Sequence, residues 1–179
     1  MKRHGDGDGR LGRAELVRPA GEARPVTLAM KAITIWQPWA SLIMIGAKPF
    51  EFRRWDFRTR GILPGERIVI HAGSRKIKPQ EIRDLISDCL TGKTSLNPSK
   101  ALPLLRRLDQ VHECKGVLEL SAGLGTAILG RPRKIGAPFK TPGSDRIDHH
   151  MWAWPLGDIA PFEPPVRARG MQGFWKWPP

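Results

Sequence analysis

Between residues 33 and 73 a short β run, a short helical stretch, an extended segment and a second β run follow one another. Short strands spaced by turns, with helices inserted early, point to a small mixed barrel rather than a βαβ repeat. The run A-I-T-I-W at 32–36 reads as a strand and is interrupted at Gln37-Pro38, where Pro38 suits a first helical turn. Trp39, Leu42, Ile43 and Gly46 then fall at helical spacing, with Gly46 placed to end the helix. Residues 49–55 read as extended, and Gly61 and Pro64-Gly65 are turn signals ahead of the strand R-I-V-I-H-A. Pro79 opens a second helix whose Ile82, Leu85, Ile86 and Leu90 share a face, closed near Gly92.

The remainder is less regular. Residues 91–115 read as irregular, or helical around 102–108, and strands are expected at 116–122, 125–129 and M-W-A-W-P-L. Residues 130–150 have the turn residues and charge of a long surface loop. Residues 1–29, glycine-rich and alternating in charge, are expected to form a disordered arm ahead of one domain at 30–179.

The formal charge is +13, and six Lys/Arg against four Asp/Glu within 1–30 leave +11 for residues 31–179. Such a surplus favours a polyanionic partner. Nucleic acid ranks above anionic membrane, because no basic amphipathic helix or lipidation motif is visible. No apolar run approaches the roughly 18 residues of a spanning helix, and the N-terminus lacks a signal-peptide core. Cys89 and Cys114 read as reduced thiols of a cytoplasmic, monomeric protein. His112-x-Cys114 and His149-His150 match no closed metal spacing, so neither metal nor cofactor is expected. The glycine-rich phosphate loops and the hydrolase motifs are absent.

Three constellations carry candidate chemistry. Trp36, Gln37, Pro38, Trp39 and Ser41 lie at the strand-to-helix junction, where backbone N–H groups hold anions and indole faces stack bases. A core place comes ahead of a ligand platform for Trp39 and, by a narrow margin, for Trp36, and Gln37 is also a fitting partner for an indole N–H. Lys48, Glu51, Arg53, Arg54, Trp55, Arg58 and Arg60 make a compact basic patch, with Glu51, Arg53 and Trp55 alternating onto one strand face. Glu51–Arg53 is either a structural pair, a base or phosphate contact, or an acid/base beside a clamp, with Lys48 at the helix exit. His71 ends the strand R-I-V-I-H-A, and Lys76 extends the basic footprint beyond it. Arg169, in R-A-R-G-M-Q-G, belongs to a loop suited to the far wall of a cleft, and the C-terminal tryptophans read mainly as core.

Taken together, I-T-I-W-Q-P-W-A-S-L-I, G-A-K-P-F-E-F-R-R-W, R-G-I-L-P-G-E-R-I-V-I-H-A, G-V-L-E-L, W-A-W-P-L and P-P-V-R-A-R-G-M-Q-G-F-W-K-W resemble the ASCH (activating-signal-cointegrator homology) domain of the PUA-like superfamily. The likeness spans roughly residues 31–178 and rests on the combination of Q-P-W-A, G-x-K and R-x-W. It implies an α+β fold, a small β-barrel with flanking helices, and a cleft lined by Trp36, Gln37, Pro38, Trp39, Lys48, Glu51, Arg53 and His71. It also implies a ligand that is RNA, single-stranded, or a nucleotide. Some relatives are amidohydrolases of acylated cytidine that use a lysine and a threonine three residues on; here Lys48 matches the lysine, and Glu51 replaces the threonine. Other relatives are ribonucleases that pair lysine with tyrosine and serine; this chain has no tyrosine, leaving Lys48 with Ser41. The expected function is therefore an RNA- or nucleotide-binding module, with a Lys48-centred ribonuclease or amidohydrolase as the alternative.

Overall fold

The computed structural model describes residues 29–111, 116–135 and 151–178. The expected arm up to residue 28, the loop from 136 to 150, and His112, Cys114, His149 and His150 lie outside the described residues.

The elements run β1 (Lys31–Ile35), α1 (Trp39–Met44), β2 (Phe50–Arg53), a 3₁₀ turn (Phe57–Arg60) and β3 (Arg67–Ala72). They continue with α2 (Pro79–Leu90), α3 (Pro98–Asp109), β4 (Ala122–Leu129), β5 (Arg133–Lys134), β6 (Trp152–Arg167) and β7 (Phe174–Lys176). The strands form one sheet in the order β2-β6-β4-β3-β1-β7, with β5 pairing β6 off that path. Only β1 and β3 pair in parallel among these strands; the other pairings are antiparallel. The result is a small mixed α+β domain with a curled, open half-barrel sheet and flanking helices.

Two apolar layers hold the sheet. On one face Ile33, Ile35, Ile68 and Ile70 pack with Leu42 and Ile43 of α1, Ile82 and Leu85 of α2, and Leu105 and Leu108 of α3. On the other, Ala32 and Val69 pack against Trp175 and Trp177. β3 is thus covered on both faces, which is why R-I-V-I-H-A reads as a continuous apolar run rather than an alternating one. Gly123 admits the second layer: a Cβ there would lie 2.3 Å from the Trp177 ring. Among the described residues, no helix is long and apolar enough to cross a membrane.

Three expectations change. Residues 116–121 do not form a strand; Gly116 and Ser121 take positive φ, and the strand begins at Ala122 and runs unbroken to Leu129. Its A-G-L-G-T-A-I-L sequence is too rich in small residues to stand out: Gly123 lies against the Trp177 ring, and Gly125 against Met44 and the backbone of β6. The weak 91–115 region contains a full helix, α3, capped by Asn97, which accepts from the Lys100 N–H, and opened by Pro98. Finally, M-W-A-W-P-L is only the start of β6, a strand of 16 residues that passes through Pro155, Pro161, Pro164 and Pro165. Register shifts against β4 accommodate the prolines after residue 157, a segment that is largely exposed.

Candidate functional site

β1 and β3 end side by side, with Ile35 opposite Ala72, and the Gly73 N–H donates to the Ile35 carbonyl at 2.9 Å. Both chains leave the sheet at the same end, which brings Trp36 against the loop after β3. A Cβ on Gly73 would sit 3.1 Å from Trp36 Cδ1 and 3.3 Å from Thr34 Cγ2, so glycine is what lets the ring lie there. The Arg75 guanidinium covers the Trp36 ring at 4.3 Å from its centroid. Glu81 at the start of α2 fixes that guanidinium, accepting from Nη1 at 2.7 Å and Nη2 at 3.2 Å. The Arg75 Nε is buried and meets no acceptor among the described residues. Trp36 is half-buried, and Lys76 and Lys78 are exposed beside the pair.

The helix start next to Trp36 is internally satisfied. Gln37 is fully buried; its Oε1 accepts from the Ser41 N–H at 3.0 Å and its Nε2 donates to the Glu119 carbonyl at 2.9 Å. Gln37 therefore ties α1 to the 116–121 segment, a backbone role rather than the indole partnership its neighbours suggested. Pro38 is buried, and Trp39, 8 % exposed, belongs to the core.

Behind this end lies a chain of ion pairs. Lys48 Nζ is 3.1 Å from Glu51 Oε2 and also donates to the Phe50 carbonyl, while the Arg53 Nε–H donates to Glu51 Oε1 at 2.9 Å. Arg53 extends its Nη2 to the Thr34 carbonyl at 3.2 Å, two residues before Trp36. Lys48 and Glu51 are buried, and Lys48 Nζ lies 4.9 Å from the Phe52 ring centroid and 5.7 Å from that of Trp39. One carboxylate between two cations leaves a net positive charge at the foot of the site.

Thr34 joins these groups to the C-terminal loop. Its hydroxyl accepts from the Trp175 indole N–H at 3.2 Å, and a Cβ on Gly170 would meet it at 2.7 Å. His71 lies opposite Thr34 in the sheet, packs edge-on against Trp175, and is equally close to Gly170. The loop R-A-R-G-M-Q-G is thus held against this end of β1 and β3. His71 Nε2–H donates to the Ala168 carbonyl at 2.9 Å, and Nδ1 is buried with no partner among the described residues.

Burial lowers the His71 imidazole below its ordinary pKa, against the opposing pull of the Ala168 carbonyl. Because the folded value lies below the unfolded one, the unfolded chain binds more protons in acid. The stabilisation is fully present above the ordinary value of about 6.5 and is lost as pH falls through the folded value. The urea midpoint should therefore drop from about pH 7 to about pH 5, and His71→Gln should remove part of that slope. An identical pH profile in the His71→Gln protein would contradict this.

Of the other expected site residues, Arg54, Lys76 and Arg169 are exposed, and Ser41 joins the junction through its backbone N–H. Trp55 is half-buried, edge-on to Trp154 at 4.8 Å and Phe174 at 5.7 Å, with Arg60 over its ring. The sequence reading missed Thr34, Arg75 and Gly170. Thr34 carried a signal as the one polar residue of A-I-T-I-W; Arg75 carried none beyond its charge, since Glu81 six residues on is what positions it. Among the described residues no three His, Cys, Asp or Glu side chains converge as a metal site requires. No protein-family model matches the chain, and no curated protein matches it in sequence.

Proposed function

We propose that this chain is an ASCH-like module of the PUA-like superfamily that binds single-stranded RNA or a nucleotide at the open end of the β1–β3 pair. The observation that carries the reading is the Arg75–Trp36 stack, held by Glu81 and flanked by exposed Lys76 and Lys78. The ring and the guanidinium layered on it together offer a stacking surface to an unpaired base, and the exposed lysines beside them offer charge to its phosphate. The +11 of residues 31–179 supplies the long-range attraction such a partner needs. Arg169, exposed between the Ala168 and Gly170 that meet His71 and Thr34, adds a donor at this end, and a cytoplasmic monomer suits the role.

Lys48 supports binding over hydrolysis. Its Nζ is engaged by Glu51 and the Phe50 carbonyl and enclosed by Trp39 and Phe52, so it holds the β2 side of the site together rather than facing outward. The test is the affinity of labelled single-stranded RNA for the wild type and for Trp36→Ala at fixed salt. A stacked base is worth about 1–3 kcal/mol, so Trp36→Ala should weaken binding by roughly 5- to 150-fold with the fold intact. Equal affinities for the two folded proteins would overturn the stacking role. RNA turnover that Lys48→Ala abolishes would favour the hydrolase instead.

A further inference from the structure

A second basic and aromatic surface surrounds the start of β6. β6 is flanked there by β2 on one side and β5 on the other, with Arg53 and Lys134 both opposite Trp152. Adjacent strands lie about 4.8 Å apart, so β2 and β5 are separated by only about two such spacings. Over this region the 3₁₀ turn sets Arg58 above the half-buried Trp152 ring, 5.9 Å from its centroid, and Arg60 above Trp55 at 5.4 Å. Asp56 fixes the turn by accepting from the Arg58 N–H at 2.9 Å, and its other oxygen pairs with the Arg58 guanidinium at 2.6 Å.

Arg58, Arg60, Arg133 and Lys134 are all exposed. No ion pair between described residues engages Arg60, Arg133 or Lys134. Among the described residues the Asp56 carboxylate is engaged by Arg58, and the same bond holds its carboxyl below the usual carboxylate range. Exposed cations that no carboxylate among the described residues pairs, as at Arg60 and Lys134, repel one another and gain most when a polyanion crosses them. Arg53 makes the surface continuous with the first site, since it lies opposite Trp152 and also donates to the Thr34 carbonyl.

We infer that Arg58, Arg60 and Lys134 form a phosphate track, and that the ligand is a polynucleotide strand running from the Trp36 site across the start of β6. A free nucleotide would fill only the first site. This inference rests on the proposed RNA-binding reading and deepens it by naming the ligand class. For a single strand, each phosphate that a variant no longer neutralises lowers the slope of log affinity against log salt by about 0.7.

The test compares AMP with a single-stranded RNA of about 16 nucleotides, across a salt series, on the full chain. A variant carrying Arg58→Ala, Arg60→Ala and Lys134→Ala should bind RNA at least tenfold more weakly at low salt. Its slope should fall by about 2, and its binding of AMP should match wild type. Because Arg58 adjoins a cap, Lys134→Ala on exposed β5 serves as the second variant, with a slope change of about 0.7. Unchanged RNA affinity and slope in both folded variants would overturn the track. Equal losses for AMP and RNA would also overturn it, by placing these residues in the first site. Binding to phosphatidylserine vesicles with no binding of RNA would overturn both readings. A Trp36→Ala protein that binds RNA as wild type while the track variants lose affinity would remove the stacking role and leave the track standing.

Discussion

Trp154→Ala should lower the unfolding free energy by about 3–5 kcal/mol, as large aromatic deletions in packed cores do. Trp154 is fully buried at the junction of three elements. Its ring stacks on Phe174 of β7 at 5.8 Å, meets Phe57 of the 3₁₀ turn edge-on at 5.4 Å, and meets Trp55 at 4.8 Å. Its indole N–H donates to the Trp55 carbonyl at 3.2 Å, so truncation also leaves that carbonyl without its donor. A domain's whole stability is about 5–15 kcal/mol, so a large share is at stake. Urea denaturation measures it: Trp154→Ala should shift the midpoint far more than Trp154→Phe, which keeps a ring and loses the hydrogen bond. Similar midpoints for Trp154→Ala and wild type would mean the ring is not the keystone its contacts indicate.

The second large effect is electrostatic. Glu51→Gln removes the carboxylate that sits against Lys48, whose side chain is 2 % exposed, and breaking a buried pair in this way costs about 3–5 kcal/mol. The loss comes from the charge left behind rather than from the strength of the pair. Combining Glu51→Gln with Lys48→Met should therefore recover much of the stability, since the buried cation is gone. Arg53 tolerates the change because it is 17 % exposed and still donates to the Thr34 carbonyl. A double-mutant cycle in urea checks this. If Glu51→Gln and the double variant are equally destabilised, the buried-cation account is wrong.

The parts of the fold most legible in the sequence are those set by local chemistry. β3 announced itself through R-I-V-I-H-A between turn residues, and α2 through Pro79 and its apolar stripe; both stand at the expected positions, although Leu90 of that stripe is exposed and Cys89 is buried instead. β4 and the length of β6 were hidden for a shared reason. Their residues are chosen by what packs on them across the chain: Gly123 for the Trp177 ring, and the prolines of β6 for a bent, largely exposed strand. In the candidate site, the sequence placed Trp36, Lys48, Glu51 and Arg53 in one region, where the structure links the last three by ion pairs. It favoured a core place for Trp39, which is buried, but could not show that Gln37 serves the backbone, because that depends on how the 116–121 segment meets a six-residue helix. Nor could it reveal Thr34 as a junction, since Arg53, Trp175 and Gly170 reach it from positions 19 to 141 residues away.

The central claim is that Trp36 stacks an unpaired base at the open end of β1 and β3. A salt series of RNA titrations on wild type and Trp36→Ala tests it most directly. Stacking carries no charge, so the two plots of log affinity against log salt should run parallel, with Trp36→Ala displaced downward by about 1–2 log units. Superimposed plots from two folded proteins would contradict the claim.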